Sequence, residues 1–427
     1  MRTQRGVAPS IINLDDVPSA AITDVRVITG AGTVLDKAAV IVRSGTIVDI
    51  TTGPIPADAD GGTLIDGSGL TAIPGLVDAH GHLNGQLTWD PFRRYLEEPF
   101  ELHLLRGANR ALEMLASGFT AVRDCGLGGE SVYLRKAVLR GIIDGPHVGT
   151  PVRTLSETGG ASDWPSLPAE VVEAVRPRGR MADGPWEFVR AVRENFREGA
   201  TYTSFMLTRA NLAISGAWPA REVVTDDELD AAVRATHALG ATFGAHCAGE
   251  PSVRRALAAG VDVIEGGKFG TDPELLAQLA EAGVTLVPTL SIYHLFSQRS
   301  NEDDATVRQA ADRAASVLES QQQMVEAAHK AGVRVAAGTD LGAQWVGVSA
   351  ALEMALLADC GLSAMDALVA GTQNGATSLG WQDKIGTIEI GKYADIVLVN
   401  DDPLRDIAIL QSPDTIHTVL HAGSSAV

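Results

Sequence analysis

The sequence predicts an α/β protein with β-rich ends, and three observations carry that prediction. The middle of the chain alternates eight short apolar strands with amphipathic helical runs. Both ends read as Val- and Ile-rich strands bounded by Gly, Ser and Asp. The chain has 427 residues, 45% of them hydrophobic and 20% charged, which suits a folded protein with a sizeable core.

Taken in order, residues 21–29, 38–43 and 45–50 are predicted strands. The alternating middle follows, with strands at 76–80, 120–124, 147–152, 202–206, 242–246, 261–265, 285–288 and 334–338. Helical runs lie at 186–198, 226–239, 272–282 and 310–331. Residues 153–183, rich in Gly, Pro and Ser, read as a long loop after the third of these strands. Strands are predicted again at 386–390, 396–400 and 416–422, with a turn at Gly391 and Lys392. Alternating β and α units predict a parallel sheet covered by helices, and eight units favour a closed (β/α)8 TIM-type barrel. Neither terminal segment is large enough for a domain of its own. The economical division is a barrel over 74–381 and a small β-sandwich built from 1–73 and 382–427.

Composition excludes several classes of function. The formal net charge is −19 and no cluster of Lys and Arg stands out, which argues against nucleic acid and disfavours an anionic substrate. No apolar run reaches the roughly 18 residues of a membrane span, and the N-terminal stretch lacks the apolar core of a signal peptide. Three scattered cysteines do not make a disulfide framework, so a reduced, cytoplasmic setting is expected. Neither Gly-x-Gly-x-x-Gly between a strand and a helix nor a phosphate-binding Gly-x-x-x-x-Gly-Lys-Ser/Thr loop is present.

Three motifs carry chemistry. His80 and His82 stand two apart at the end of the first middle strand, so their rings share a face. Asp340 closes the eighth strand, which adjoins the first in a closed barrel. His246 ends the fifth. Two imidazoles and a carboxylate suit zinc or a similar divalent metal. Singly, each motif also has an ordinary reading: histidines in a loop, a helix-capping aspartate, a strand-end histidine.

Together with residues 74–82, Val122-Arg123-Asp124, Val287-Pro288-Thr289-Leu290, Gly338-Thr339-Asp340 and the stretch 386–395, these motifs make the chain resemble the metal-dependent amidohydrolase superfamily. The resemblance is to the imidazolonepropionase and Xaa-Pro dipeptidase-like branch, and it covers nearly the whole chain. It implies the barrel-plus-sandwich architecture read above. It also implies a lysine on the fourth strand that bridges two metals, and here Ser204 stands in its place. Gly266 replaces the histidine after the glutamate of strand six, and Ala161 replaces a histidine after strand three. The surviving set is His80, His82, His246 and Asp340. It resembles the mononuclear centres of the superfamily's deaminases and the atypical centre of phenylurea and thiocarbamate hydrolases.

One divalent metal per chain is therefore expected, zinc first, with Mn, Co or Fe as alternatives. The resemblance implies hydrolysis of a C–N bond (amide, urea or carbamate) in a small neutral molecule by attack of metal-bound hydroxide. Asp340 is the expected proton acceptor, and Glu250, four residues past His246, a candidate acid or base. Tyr293, His294, Ser204, Tyr202, Arg209 and Lys268 are candidate substrate contacts at or after strand ends. Two other readings stay open: a deaminase or dipeptidase of the same superfamily, and a non-catalytic relative. By analogy with relatives, a homo-oligomer is expected.

Overall fold

A computed structural model describes residues 19–53, 62–84, 98–126, 128–160, 162–163, 168, 170, 179–208, 224–301, 303, 305–342 and 348–426. The first strands are β1 (Ala20–Ile28), β2 (Val34–Arg43), β3 (Thr46–Thr51), β4 (Thr63–Asp66) and β5 (Thr71–Pro74). The middle carries β6 (Leu76–Gly81), β7 (Phe119–Asp124), β8 (His147–Gly149), β9 (Thr154–Ser156), β10 (Gly179–Met181), β11 (Thr203–Met206), β12 (Phe243–His246), β13 (Val263–Glu265), β14 (Thr285–Val287) and β15 (Arg334–Val335). The chain ends on β16 (Ile396–Val399), β17 (Ile416–His421) and β18 (Ser424–Ser425).

Both ends of the chain build one sheet of eight strands, in the order β18-β17-β16-β5-β1-β2-β3, with β4 also paired to β1. The join is antiparallel: Ile396 to Val399 pair with Pro74 to Thr71. The apolar side chains of this sheet form their own core, with Val25, Val27, Val40, Ile47, Ile396 and Leu398 among its members.

All eight predicted middle strands are present, and all their ladders are parallel. They form two sheets, β6-β7-β8 and β10-β9-β11-β12-β13-β14-β15, rather than the single closed ladder expected. The reason lies at the two seams. After Gly149 the chain meets Pro151, which has no N–H to give, and Val152 at φ 64°, so β8 stops after three residues. β15 keeps only two residues because 336–340 leave the ladder. Individual bonds still cross both seams: Thr201 N donates to Thr150 O at 2.8 Å, and Ala79 N to Ala337 O at 2.8 Å. Ala79, Val263, Val287 and Ala336 pack together as a cluster of small side chains between these strands.

Helices cover the parallel strands for legible local reasons. Helix Asp226–Ala238 opens on a capping box between Thr225 and Glu228. Helix Pro273–Ala282 is capped by Asp272 and stopped by left-handed Gly283. Two predicted features need correction. Residues 386–390 are not a strand. Their backbone bonds sideways, Ile388 N to Thr29 O and Gly391 N to Ile47 O, which makes them a strap across the sheet ends. The long loop at 153–183 contains β9 and β10, which pair in parallel. No helix among the described residues is long and apolar enough to cross a membrane.

Candidate metal centre

The centre is built where β6 ends against the turn after β15. Thr339 N and Asp340 N both donate to His80 O, at 3.0 and 2.7 Å. Asp78 locks this junction: its Oδ1 accepts from His80 N and Thr339 N, and its Oδ2 from Thr339 Oγ1 at 2.8 Å. Gly338 is required here, since an added Cβ would lie 2.3 Å from Val287 Cγ1 and 2.7 Å from His80 N. Asp340 itself sits at φ 56°, a left-handed conformation that costs a non-glycine residue free energy and is commonest at functional sites.

The junction brings three donors together. Asp340 Oδ1 is 2.8 Å from His82 Nε2 and 3.5 Å from His80 Nε2. The two imidazoles meet edge to face, with centroids 5.3 Å apart. Ligand atoms of all three lie within 4.8 Å of one another. Against the cost of burial, the hydrogen bonds from His80 and His82 hold Asp340 well below the usual carboxylate range. The carboxylate side chain keeps 23% of its surface exposed, so the cluster is reachable from outside.

His246 ends β12 beside Glu265 of β13. Its Nε2 is buried and makes no hydrogen bond. Burial, then the positive charge of Lys268 and His80, pulls its pKa down to about 4, so the ring is neutral at physiological pH. It is not part of the three-residue group around Asp340. Two imidazoles and a carboxylate in one group, with the buried Nε2 of His246 left unbonded, fit a borderline divalent ion.

The other predicted residues fall into two sets. Lys268 and Tyr293 face the centre. The Lys268 ammonium lies 4.4 Å from the Tyr293 ring centroid, and burial pulls it down to about 8 against the opposing pull of Asp340. Ser204 is buried on β11; its neighbour Thr203 bonds outward to Thr236, so by alternation Ser204 faces the opposite side of the sheet. By contrast, Tyr202 is fully buried and its hydroxyl donates to Asp124 O, which makes it packing rather than a substrate wall. Glu250 opens helix Glu250–Ala259 and accepts from Arg254 Nε at 2.8 Å, away from the three donors. His294 shares a bond with Gln298 along its own helix. Arg209 and Ala161 lie outside the described residues.

Sequence reasoning missed a buried pair of charges beside the centre. Arg123 Nη1 lies 2.5 Å from Glu265 Oε1, both buried, and its guanidinium stacks 3.9 Å from the Tyr202 ring centroid. An added Cβ at Gly244, the register partner of Ser204, would lie 2.1 Å from Arg123 Nη2. Arg123 thus occupies the volume beside Ser204. Glu265 Oε2 also lies 3.5 Å from His80 Nδ1, and Cys125 joins His80 and Glu265 in a second compact group. The position of Cys125, directly after Val122-Arg123-Asp124 at the end of a middle strand, was the available signal. A histidine at Gly266 would be strained in this backbone. Gly266 sits at φ +65°, and a Cβ there would lie 2.9 Å from His246 Cε1.

The chain resembles proteins of known activity along most of its length. Ochratoxinase of Aspergillus niger is 28% identical over 369 residues, 82% of this chain and 74% of that one. Its crystal structure superposes with a TM-score of 0.85, covering 96% of each chain at 25% identity. A Xaa-Pro dipeptidase solved with methionine in its active site gives a TM-score of 0.79 at 28% identity, over 95% of this chain and 99% of that one. Phenylurea hydrolase B, at 19% identity and a TM-score of 0.75 over 95% and 96% of the two chains, shares the fold. Residues 71–425 match the sequence profile of the amidohydrolase family, and with most of its length matched the chain belongs to that family of hydrolases.

Proposed function

We propose that the chain is a metal-dependent hydrolase that cleaves an amide, urea or carbamate C–N bond in a small neutral molecule. The observation that carries this reading is the convergence of His80, His82 and Asp340 at one junction of strand ends. His80, His82 and Asp340 would hold one divalent ion, zinc first, with His246 at its flank. When bound, such an ion acts as a Lewis acid and brings the pKa of its water towards neutrality.

The chain's own groups do the rest. Asp340, ionised across the physiological range, takes the proton of the attacking water. The turn that bonds Thr339 N and Asp340 N to His80 O holds the carboxylate beside the two imidazoles. Lys268 and Tyr293 form the wall against which the substrate lies, and the Lys268 ammonium orients the polar end of the scissile group. A single ion at this centre is supported by three observations. Ser204 stands where the family resemblance implies a bridging lysine, a histidine at Gly266 would be strained, and the Arg123 guanidinium lies beside Gly244, the register partner of Ser204.

The same reading extends to the fold. Backbone bonds across both seams support a (β/α)8 barrel over 74–381, with 1–73 and 382–427 as a β-sandwich appended to it. Three buried free cysteines support a reducing, cytoplasmic setting. A dipeptidase is the second reading, favoured by the likeness to the Xaa-Pro dipeptidase, with Lys268 then the partner of a substrate carboxylate. Turnover of neutral amides, ureas and carbamates is to be compared with that of Xaa-Pro dipeptides, on the metal-loaded protein and its Asp340→Asn variant. Release of an amine from a neutral substrate, lost in the variant, supports the first reading. Hydrolysis of dipeptides alone selects the second, and an Asp340→Asn chain with full turnover overturns both.

A further inference from the structure

A second cluster with the same donor chemistry lies at the opposite end of the parallel strands. His147 is the first residue of β8, paired with Ala121 in the lower part of β7, whereas the upper end of β7 pairs Asp124 with Gly81. Facing His147 from the terminal sheet are Asp395, just before β16, and His421, the last residue of β17. His147 Nε2 is 3.2 Å from Asp395 Oδ2, and the two imidazole centroids are 4.1 Å apart. One ligand atom from each of the three lies within 4.8 Å of the others.

We propose that His147, Asp395 and His421 form a divalent-cation site that suits zinc, with water as the fourth ligand, and that pins the terminal sheet to the start of β8. Three features support it. His147 Nε2, Asp395 Oδ2 and His421 Nε2 are all buried, and none makes a hydrogen bond. Buried polar atoms are nearly always satisfied, so three orphans converging on one point call for a common partner. Donors on a tetrahedral zinc with bonds of about 2.0–2.1 Å stand roughly 3.3 Å apart, close to the spacing of His147 and Asp395. The other carboxylate oxygen, Asp395 Oδ1, accepts from Ala422 N at 2.8 Å, which aims Oδ2 at the histidines as an outer-shell bond does for a metal ligand.

The site differs in kind from the His80 centre. The His147 and Asp395 side chains are 5% and 2% exposed, and His421 is half-buried. Its ligands come from both of the chain's large units, so the ion would cross-link them. The proposal goes beyond the hydrolase reading and does not depend on it.

The test is zinc stoichiometry by elemental analysis, after chelation and reconstitution with Zn2+ alone, on the full-length chain. The expected counts are two zinc ions per chain in the parent, one in His82→Ala/Asp340→Asn, and none when His421→Ala is added. Zinc is expected to raise the Tm of the double variant and not that of the triple. Co2+ in the double variant is expected to give the visible absorption of a tetrahedral site. A folded double variant that binds no zinc and whose Tm ignores it overturns the proposal. So does zinc binding that survives His421→Ala. If the triple variant does not fold, the zinc count and Co2+ spectrum of the double variant decide alone. A chain that holds zinc at this site yet turns over no substrate refutes the hydrolase reading and leaves the proposal standing.

Discussion

The two histidine–aspartate clusters hold the same donors and differ in what surrounds them. At the upper end of the strands, Asp340 keeps 23% of its side chain exposed, and Lys268 and Tyr293 stand beside it. At the lower end, Asp395 is 2% exposed and sealed between β8 and the terminal sheet. A catalytic metal site must leave one coordination position open for water or substrate, whereas a structural site closes around its ion. Identical side chains can thus serve opposite purposes, and the difference is legible from their cover rather than their chemistry.

That comparison can be broken or sharpened by four experiments. The largest effect is expected from Asp340→Asn. Turnover should fall by at least ~100-fold, the scale of a lost general base, while the far-UV spectrum and Tm stay near those of the parent. Asp395→Asn should do the reverse: turnover per folded molecule is retained, and zinc no longer stabilises the fold. A ligand at 100 times its dissociation constant contributes about 2.7 kcal/mol, and this is the loss to be read from denaturant unfolding with and without zinc. If Asp395→Asn abolishes turnover in a folded chain, the separation of roles fails.

A second pair of substitutions probes the proposal that the upper centre takes a single ion. Arg123→Leu leaves Glu265 buried without its ion-pair partner, beside His80. Removing one member of a buried pair costs about 3–5 kcal/mol, measurable by urea unfolding. A cost below 1 kcal/mol would mean that Arg123 is not what fills the space beside Ser204. Gly266→His should not restore a second metal. It meets a left-handed backbone and the His246 ring, so a loss of roughly 1–3 kcal/mol is expected, with no gain in zinc by elemental analysis.

A last experiment, outside the comparison of the two clusters, concerns pH. Glu353 is fully buried under the loop after β14, where its carboxylate accepts from Leu290 N, Ser291 N and Ser291 Oγ. Burial raises its pKa to about 7 despite these bonds. Between its unfolded value and about 7 the folded state binds the extra proton. Stability is therefore fully present at low pH and falls as pH rises through that window. The change is on the order of 3 kcal/mol, and Glu353→Gln should flatten it in unfolding curves taken from pH 5 to 8. An unchanged slope would assign the pH dependence to other groups.

Much of this was legible in the sequence, and what was not has physical causes. The eight middle strands are short apolar runs between polar helices, so their period and bounds identify them. His80 and His82 declare themselves because alternation puts them on one face. Asp340 follows once strand eight is placed beside strand one. The seams could not be read, because β8 and β15 are cut short by Pro151, Val152 and the turn at Gly338. β9 and β10 were hidden in a polar stretch where three residues pair without any hydrophobic period. Arg123 and Glu265 read as ordinary strand-end charges until the fold laid β7 and β13 across from each other. His147, Asp395 and His421 are separated by hundreds of residues or belong to different strands, and only packing of sheet against sheet unites them.

The join between β5 and β16 has a consequence for how the molecule is made. β5 pairs with β1 on one side and waits for β16 on the other, about 320 residues further along the chain. At a synthesis rate of about 5–20 residues per second, that edge stays unpaired for roughly 15–60 s. During this interval the nascent protein offers an open β template to its neighbours on the polysome, which makes the first-made strands the part of this molecule most in need of a chaperone.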